Sequence, residues 1–148
     1  MALQSYSVDR EAQKLVLHYR DQDVLNQSYK MRTTVAYGLE RFWGEHLRHG
    51  LDTKEGKYWK AVWDTLADKL LKPANIDLPN EKINLIPPPK KEDKREKEKR
   101  EQKNTKQIEA MAEKLWRFAE EQPENQRIAL AVLTQLCDCI VWWTQRYK

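Results

Sequence analysis

Glycine is scarce in this sequence, four residues in 148, and β-branched runs are few, which argues against a sheet protein. Cysteine is nearly missing. Cys137 and Cys139 stand two apart on a predicted helix, so they do not face each other, and free thiols in a reducing compartment are expected. There is no glycine-rich phosphate cradle, no nucleophile elbow and no pair of acids set apart from ordinary surface carboxylates, so no enzyme is predicted. His46 and His49, three apart with Glu45 adjacent, come nearest to a metal-ligand set. No third and fourth ligand accompanies them, and neither cysteine has a partner at metal spacing. No metal or other cofactor is therefore expected, and both histidines read as structural or surface residues, as does His18 beside Tyr19. The opening Met1-Ala2-Leu3-Gln4 lacks the basic start and apolar core of a leader, which predicts a cytoplasmic protein.

What is present is charge, tryptophan and helical periodicity. Charged residues make up 34% of the chain and there are six tryptophans, a composition that fits a water-exposed helical bundle with bulky seams. One domain over residues 1–148 is long enough to bury roughly 70% of the surface its unfolded chain exposes. The stretch the rest must fold around is residues 127–147. Ala129, Val132, Leu133, Leu136, Ile140 and Trp143 fall at helical spacing, while Ile128, Leu130, Ala131 and Val141 fill much of the opposite side. A helix apolar nearly all round predicts the centre of a bundle. A membrane span is not expected, because Gln135 and Asp138 interrupt a run shorter than the roughly 20 residues a span needs.

The remaining elements follow in order. A first helix is predicted from about Asp9 to Arg20, capped by Ser7 or Asp9. A second is expected from Asn26 or Ser28 to His49, stopped by Gly50. The third begins near Asp52-Thr53, where Asp52 with Glu55 three on resembles a capping box, and Pro73 ends it. Residues 73–104 read as an internal linker, rich in proline and then in mixed charge, disordered through about Lys99. A fourth helix is predicted from Asn104 or Thr105, and Pro123 opens the fifth at a favoured first-turn position. The expected fold is thus an all-α bundle of about five helices with a Pro-rich and charged linker in the middle. Core packing accounts for four or five of the six tryptophans, and Trp116 is the one expected at the surface.

The net charge of +4 is unevenly placed. Residues 90–107 hold nine Lys or Arg against five acids, so the rest of the chain balances and a nucleic-acid surface on it must come from clustering. The second predicted helix offers such a cluster: Lys30, Tyr37, Arg41, Gly44 and Arg48 share one face at 3.6 residues per turn. Lys54 and Lys57 continue it past the turn, although cations at a helix start oppose the macrodipole, and Arg127 is placed to join them. The plain alternative is a solvated basic face.

An all-helical basic chain of this size, split by a charged linker, resembles the small subunit of multi-subunit CRISPR interference complexes. Ile128 to Trp143, leading to Trp143-Thr144-Gln145-Arg146-Tyr147-Lys148, is similar to the C-terminal helical part of the type I-D large subunit. There the small subunit is made from an internal start, which Met1 followed at once by helical sequence fits. The resemblance implies a non-catalytic, antiviral-defence role with other subunits, copies of itself, guide RNA and target DNA as partners, and neither membrane nor small-molecule substrate. Base pairing would read the sequence, while Lys30, Arg41, Arg48, Lys54, Lys57 and Arg127 would hold phosphates. Two rivals stand beside it. One is a free-standing helix-turn-helix DNA-binding protein, although no recognition helix opens with base-reading Arg, Asn and Gln. The other is a helical protein–protein adaptor without nucleic-acid contact.

Overall fold

The computed structural model describes residues 5–148 and is an all-α bundle of six helices, with no strand among the described residues. They are α1 (Ser5–Tyr19), α2 (Gln27–Thr34), α3 (Leu39–His49), α4 (Lys54–Asp64), α5 (Lys94–Glu121) and α6 (Pro123–Tyr147). As expected, α6 is the organising helix. The Trp143 indole N–H donates to Asp9 Oδ1 (2.8 Å) and the Gln13 amide to the Tyr147 hydroxyl (3.1 Å), so α1 lies parallel to the end of α6. Ser28 meets Thr144 (2.8 Å) and Arg32 meets Asp138 (2.5 Å), so α2 runs antiparallel to it. The first helix starts earlier than the predicted Asp9, which brings Val8 into the core and leaves Asp9 free to hold Trp143.

The α6 surface differs from expectation. Ala129, Val132, Leu133, Leu136, Cys137 and Ile140 are buried, but Ile128, Ala131, Gln135, Asp138, Trp142 and Gln145 form an exposed stripe, so the helix is half-wrapped rather than enclosed. It runs 25 residues from Pro123, which opens it in the first turn as expected. It is the one described helix long and apolar enough to cross a membrane, yet its buried stripe is taken up by the bundle.

The predicted second helix is two helices. After a 3-10 turn at Val35–Tyr37, Gly38 sits at φ +99°, a conformation that glycine alone adopts without a Cβ penalty, and α3 sets off in a new direction. The α3–α4 turn is capped by Thr53, whose Oγ1 accepts from the Gly56 N–H at 3.0 Å, so the Asp52–Glu55 capping box does not form. A Cβ on Gly56 would lie 1.9 Å from the Gly50 carbonyl oxygen, so only glycine permits this closeness between the start of α4 and the end of α3. Phe42 packs on Trp59 and Trp63 across the two helices, at 5.0 and 6.4 Å between ring centroids, and these three, Trp43 and Tyr58 are each at most 1% exposed. Beyond Asp64 the chain widens into a π turn, Thr65–Leu71, where the 4- and 5-residue spacing of Leu66, Leu70 and Leu71 keeps all three on the core side. A polar node ties three helices together: Ser28 Oγ bonds both the Tyr58 hydroxyl (2.9 Å) and Thr144, and Gln27 accepts from the Trp59 indole (2.9 Å). Burial pushes the Tyr58 hydroxyl pKa up to about 12.

The largest departure is the linker. Extended chain follows Asn75, anchored by buried Ile76 and Leu78, but α5 begins at Lys94, ten residues before the expected start. Asp93 caps it, accepting from the Glu96 N–H at 2.7 Å. The extended strap then pairs with one side of α5. Gln107 both donates to the Asn84 carbonyl and accepts from its N–H (2.7 and 2.9 Å), and Asn104 treats Ile86 the same way (3.2 and 2.8 Å). Arg100 closes the row with a two-pronged bond to Glu92 (2.9 and 3.1 Å) that holds the Glu92 carboxyl below the usual carboxylate range. These side-chain pins, together with charged residues of both signs at i, i+4 spacing, order a segment that has no apolar residue of its own.

Candidate nucleic-acid interface

Gly38 divides the basic line expected on one helix face. Lys30 is exposed on α2, whereas Arg41 and Arg48 are exposed on α3 and, seven residues apart, still share one side of it. Arg41 sits over the exposed ring of Tyr37, 5.8 Å from its centroid. Arg48 grips Glu45 through Nε and Nη2 at 2.8 to 3.0 Å, which raises the guanidinium pKa further. Lys54 and Lys57 are exposed in the first turns of α4, and the Lys57 carbonyl accepts from the Tyr19 hydroxyl at 3.3 Å.

His49 marks where these groups converge. Its ring stacks on Trp59 at 5.9 Å, and its pKa is lowered first by burial, then by Arg48 and Lys30, against the opposing pull of Glu45 and Glu55. Lys30 and Arg48 therefore share a neighbourhood despite the break at Gly38, with Lys54 and Lys57 following directly in the chain. Two acids, Glu45 and Glu55, stand inside the same cluster and offset part of its field. Arg127 does not join it. Lys30 lies level with α6 between Asp138 and Thr144, at least 11 residues, or about 16 Å, along the axis from Arg127. Arg127 instead pairs with Glu124 (2.7 Å) at the surface, a contact of little energetic weight.

The two histidines do not converge on a metal. His46 is buried, its Nδ1–H donates to the Trp43 carbonyl, and its Nε2 lone pair has no partner; His49 is half-buried against Trp59, with Nε2 3.5 Å from Glu45. No group of three or more His, Cys, Asp or Glu among the described residues is placed to hold a metal ion. Both cysteines are free. Burial pushes the Cys137 thiol far up and that of half-buried Cys139 to about 11, so neither has thiolate character at neutral pH. Trp116 is exposed, as expected, and so is Trp142, at 53% and 57%.

The structure adds a second basic surface. Arg95, Lys99, Lys103 and Lys106, spaced 4, 4 and 3, are all exposed on α5, and none is in an ion pair among the described residues. The signal was available in the sequence, since the whole +4 excess lies in residues 90–107. Comparison with known proteins finds no matching family model, no similar curated protein and no similar solved structure. What the arrangement offers chemically is cations carried on the outward sides of packed helices, with aromatic rings beside some of them. That chemistry suits phosphate contacts, which need positive charge in fixed positions and no reading of base edges.

Proposed function

We propose that this chain is a non-catalytic small subunit of a CRISPR ribonucleoprotein interference complex, holding the guide RNA–target DNA duplex or the displaced strand by its backbone. The observation that carries the proposal is the placement of the excess positive charge. It lies on a helix, outside a bundle that is otherwise neutral, and the segment bearing it contains no apolar residue. In such complexes base pairing reads the sequence, and the protein is left with shape and backbone. The cytoplasmic setting and the partners implied by the resemblance, including copies of the same chain, belong to this proposal.

The test has two arms. A tagged chain purified from its native host is expected to carry CRISPR subunits and guide RNA with it. The isolated chain should bind a labelled 20-base-pair RNA–DNA hybrid without sequence preference, with a log–log salt slope of about −3.6 to −4.5 if four or five phosphates are neutralised. Exposed Ile128, Trp116 and Trp142 favour a second reading, a protein–protein adaptor. Protein partners without any nucleic acid, together with no binding of the hybrid at low salt, would establish that reading instead.

A further inference from the structure

We infer that the phosphate-contacting face is the outward stripe of α5, Arg95, Lys99, Lys103 and Lys106, rather than the cluster around the α3–α4 turn. The inference rests on the nucleic-acid reading above and locates it. At 100° per residue the four side chains fall within about 80° of one another, and the pinned residues Arg100, Asn104 and Gln107 lie roughly 110° around the helix. The stripe covers 12 residues and a rise of about 16 Å, that of about five nucleotides of one strand at 3.4 Å each. Its flanking acids, Glu96, Glu98, Glu101 and Glu109, lie outside the stripe on either side.

Three observations favour this face. First, Arg48 is committed to Glu45 and Arg41 lies over Tyr37, which leaves Lys30, Lys54 and Lys57 as the unengaged cations there, whereas all four α5 cations are without an ion-pair partner among the described residues. Second, the strap holds this part of α5 as a helix before any ligand arrives, so binding does not bear the cost of ordering it. Third, residues 94–107 contain no apolar side chain. An interfacial lipid-binding helix needs an apolar face to insert, and a protein interface needs buried anchors; a polyphosphate strand needs neither.

The experiment compares two sets of the full chain carrying equal changes in net charge. One set combines Arg95→Gln, Lys99→Gln, Lys103→Gln and Lys106→Gln; the other combines Lys30→Gln, Arg41→Gln, Arg48→Gln and Lys54→Gln. Glutamine has a helix propensity close to that of lysine and arginine, so both sets should keep the circular-dichroism signal and thermal midpoint. The double variant Lys99→Gln/Lys103→Gln provides the same readout if the fourfold one is unstable. Binding of the labelled 20-base-pair RNA–DNA hybrid is expected to weaken more than about tenfold in the α5 set, with the salt slope falling by about 3 to 4. The second set should lose less than half as much. Loss in the second set with retention in the α5 set overturns the inference and returns the face to α2–α4. Equal loss in both reduces the effect to net charge and overturns it as well. If the α5 set keeps hybrid binding but loses binding to phosphatidylserine vesicles, the occupant is a membrane and the inference is wrong. Failure of the unmodified chain to bind hybrid, single-stranded RNA or single-stranded DNA refutes the nucleic-acid reading itself.

Discussion

Replacing Gly56 by alanine sets two effects of opposite sign against each other. Inside a helix, alanine is favoured over glycine by about 1 kcal/mol, so at an exposed position the change would stabilise. Here the new methyl carbon would stand 1.9 Å from the Gly50 carbonyl oxygen and 2.9 Å from that of His46, both backbone atoms that no rotamer change can move. Carbon–oxygen contacts settle near 3.3 Å, so α4 must retreat by about 1.4 Å. That retreat would pull on Tyr58, Trp59, Val62 and Trp63, all at most 1% exposed, and on the Ser28–Tyr58 and Gln27–Trp59 bonds. Overpacking of this kind costs about 3 kcal/mol at the upper end of its usual range, leaving a net loss of about 2 kcal/mol. For a chain of this size the thermal midpoint should fall by about 4–8 °C. Paired thermal and urea denaturation of Gly56→Ala and the unmodified chain measures it. An unchanged or raised midpoint would refute the close α3–α4 approach at Gly56.

Two further outcomes are expected. Burial lowers the pKa of His46, and burial with Arg48 lowers that of His49, so the unfolded chain takes up protons first as pH falls. Stability should therefore be full above the unfolded value near 6.5 and decline below it, less steeply in His46→Gln; a urea midpoint that rises from pH 7.5 to 5.5 would contradict the buried neutral imidazole. Limited trypsin treatment should cut early at Lys90 and Lys91, in the exposed bend, and late within residues 94–106. The double change Asn104→Ala/Gln107→Ala should speed the late cuts about fivefold, corresponding to about 1 kcal/mol of lost local protection, and equal rates would show that the strap does not hold the helix.

Periodicity made α4 and α6 legible, because each carries an apolar stripe that local spacing reveals. The break at Gly38 was hidden by its surroundings: the residues on both sides continue the same helical pattern, and a single backbone angle ends it. The early start of α5 was hidden for a different reason. Its order comes from polar bonds to chain 18 to 23 residues away, and no window of sequence displays such a pairing. The Ser28 node, whose partners lie 30 and 116 residues away, was invisible in the same sense. For the candidate interface the cations themselves were legible, but not their neighbours. Glu45 beside Arg48 and Glu55 beside His49 depend on how α3 meets α4, and the axial distance of Arg127 depends on how α2 lies against α6.

The parallel lie of α1 on α6 has a consequence for how the chain is made. Val8, Ala12 and Val16 of α1 and Met31 of α2 emerge from the ribosome at least about 90 residues before Pro123, which opens the helix that both pack against. At synthesis rates of about 5–20 residues per second that gap is roughly 5–20 s, far longer than the time a helix needs to form. Through that interval the nascent chain presents an apolar face with no native cover, a surface that chaperones recognise. A transcript cut short ahead of α6 would yield a polypeptide fit for degradation rather than a smaller working domain.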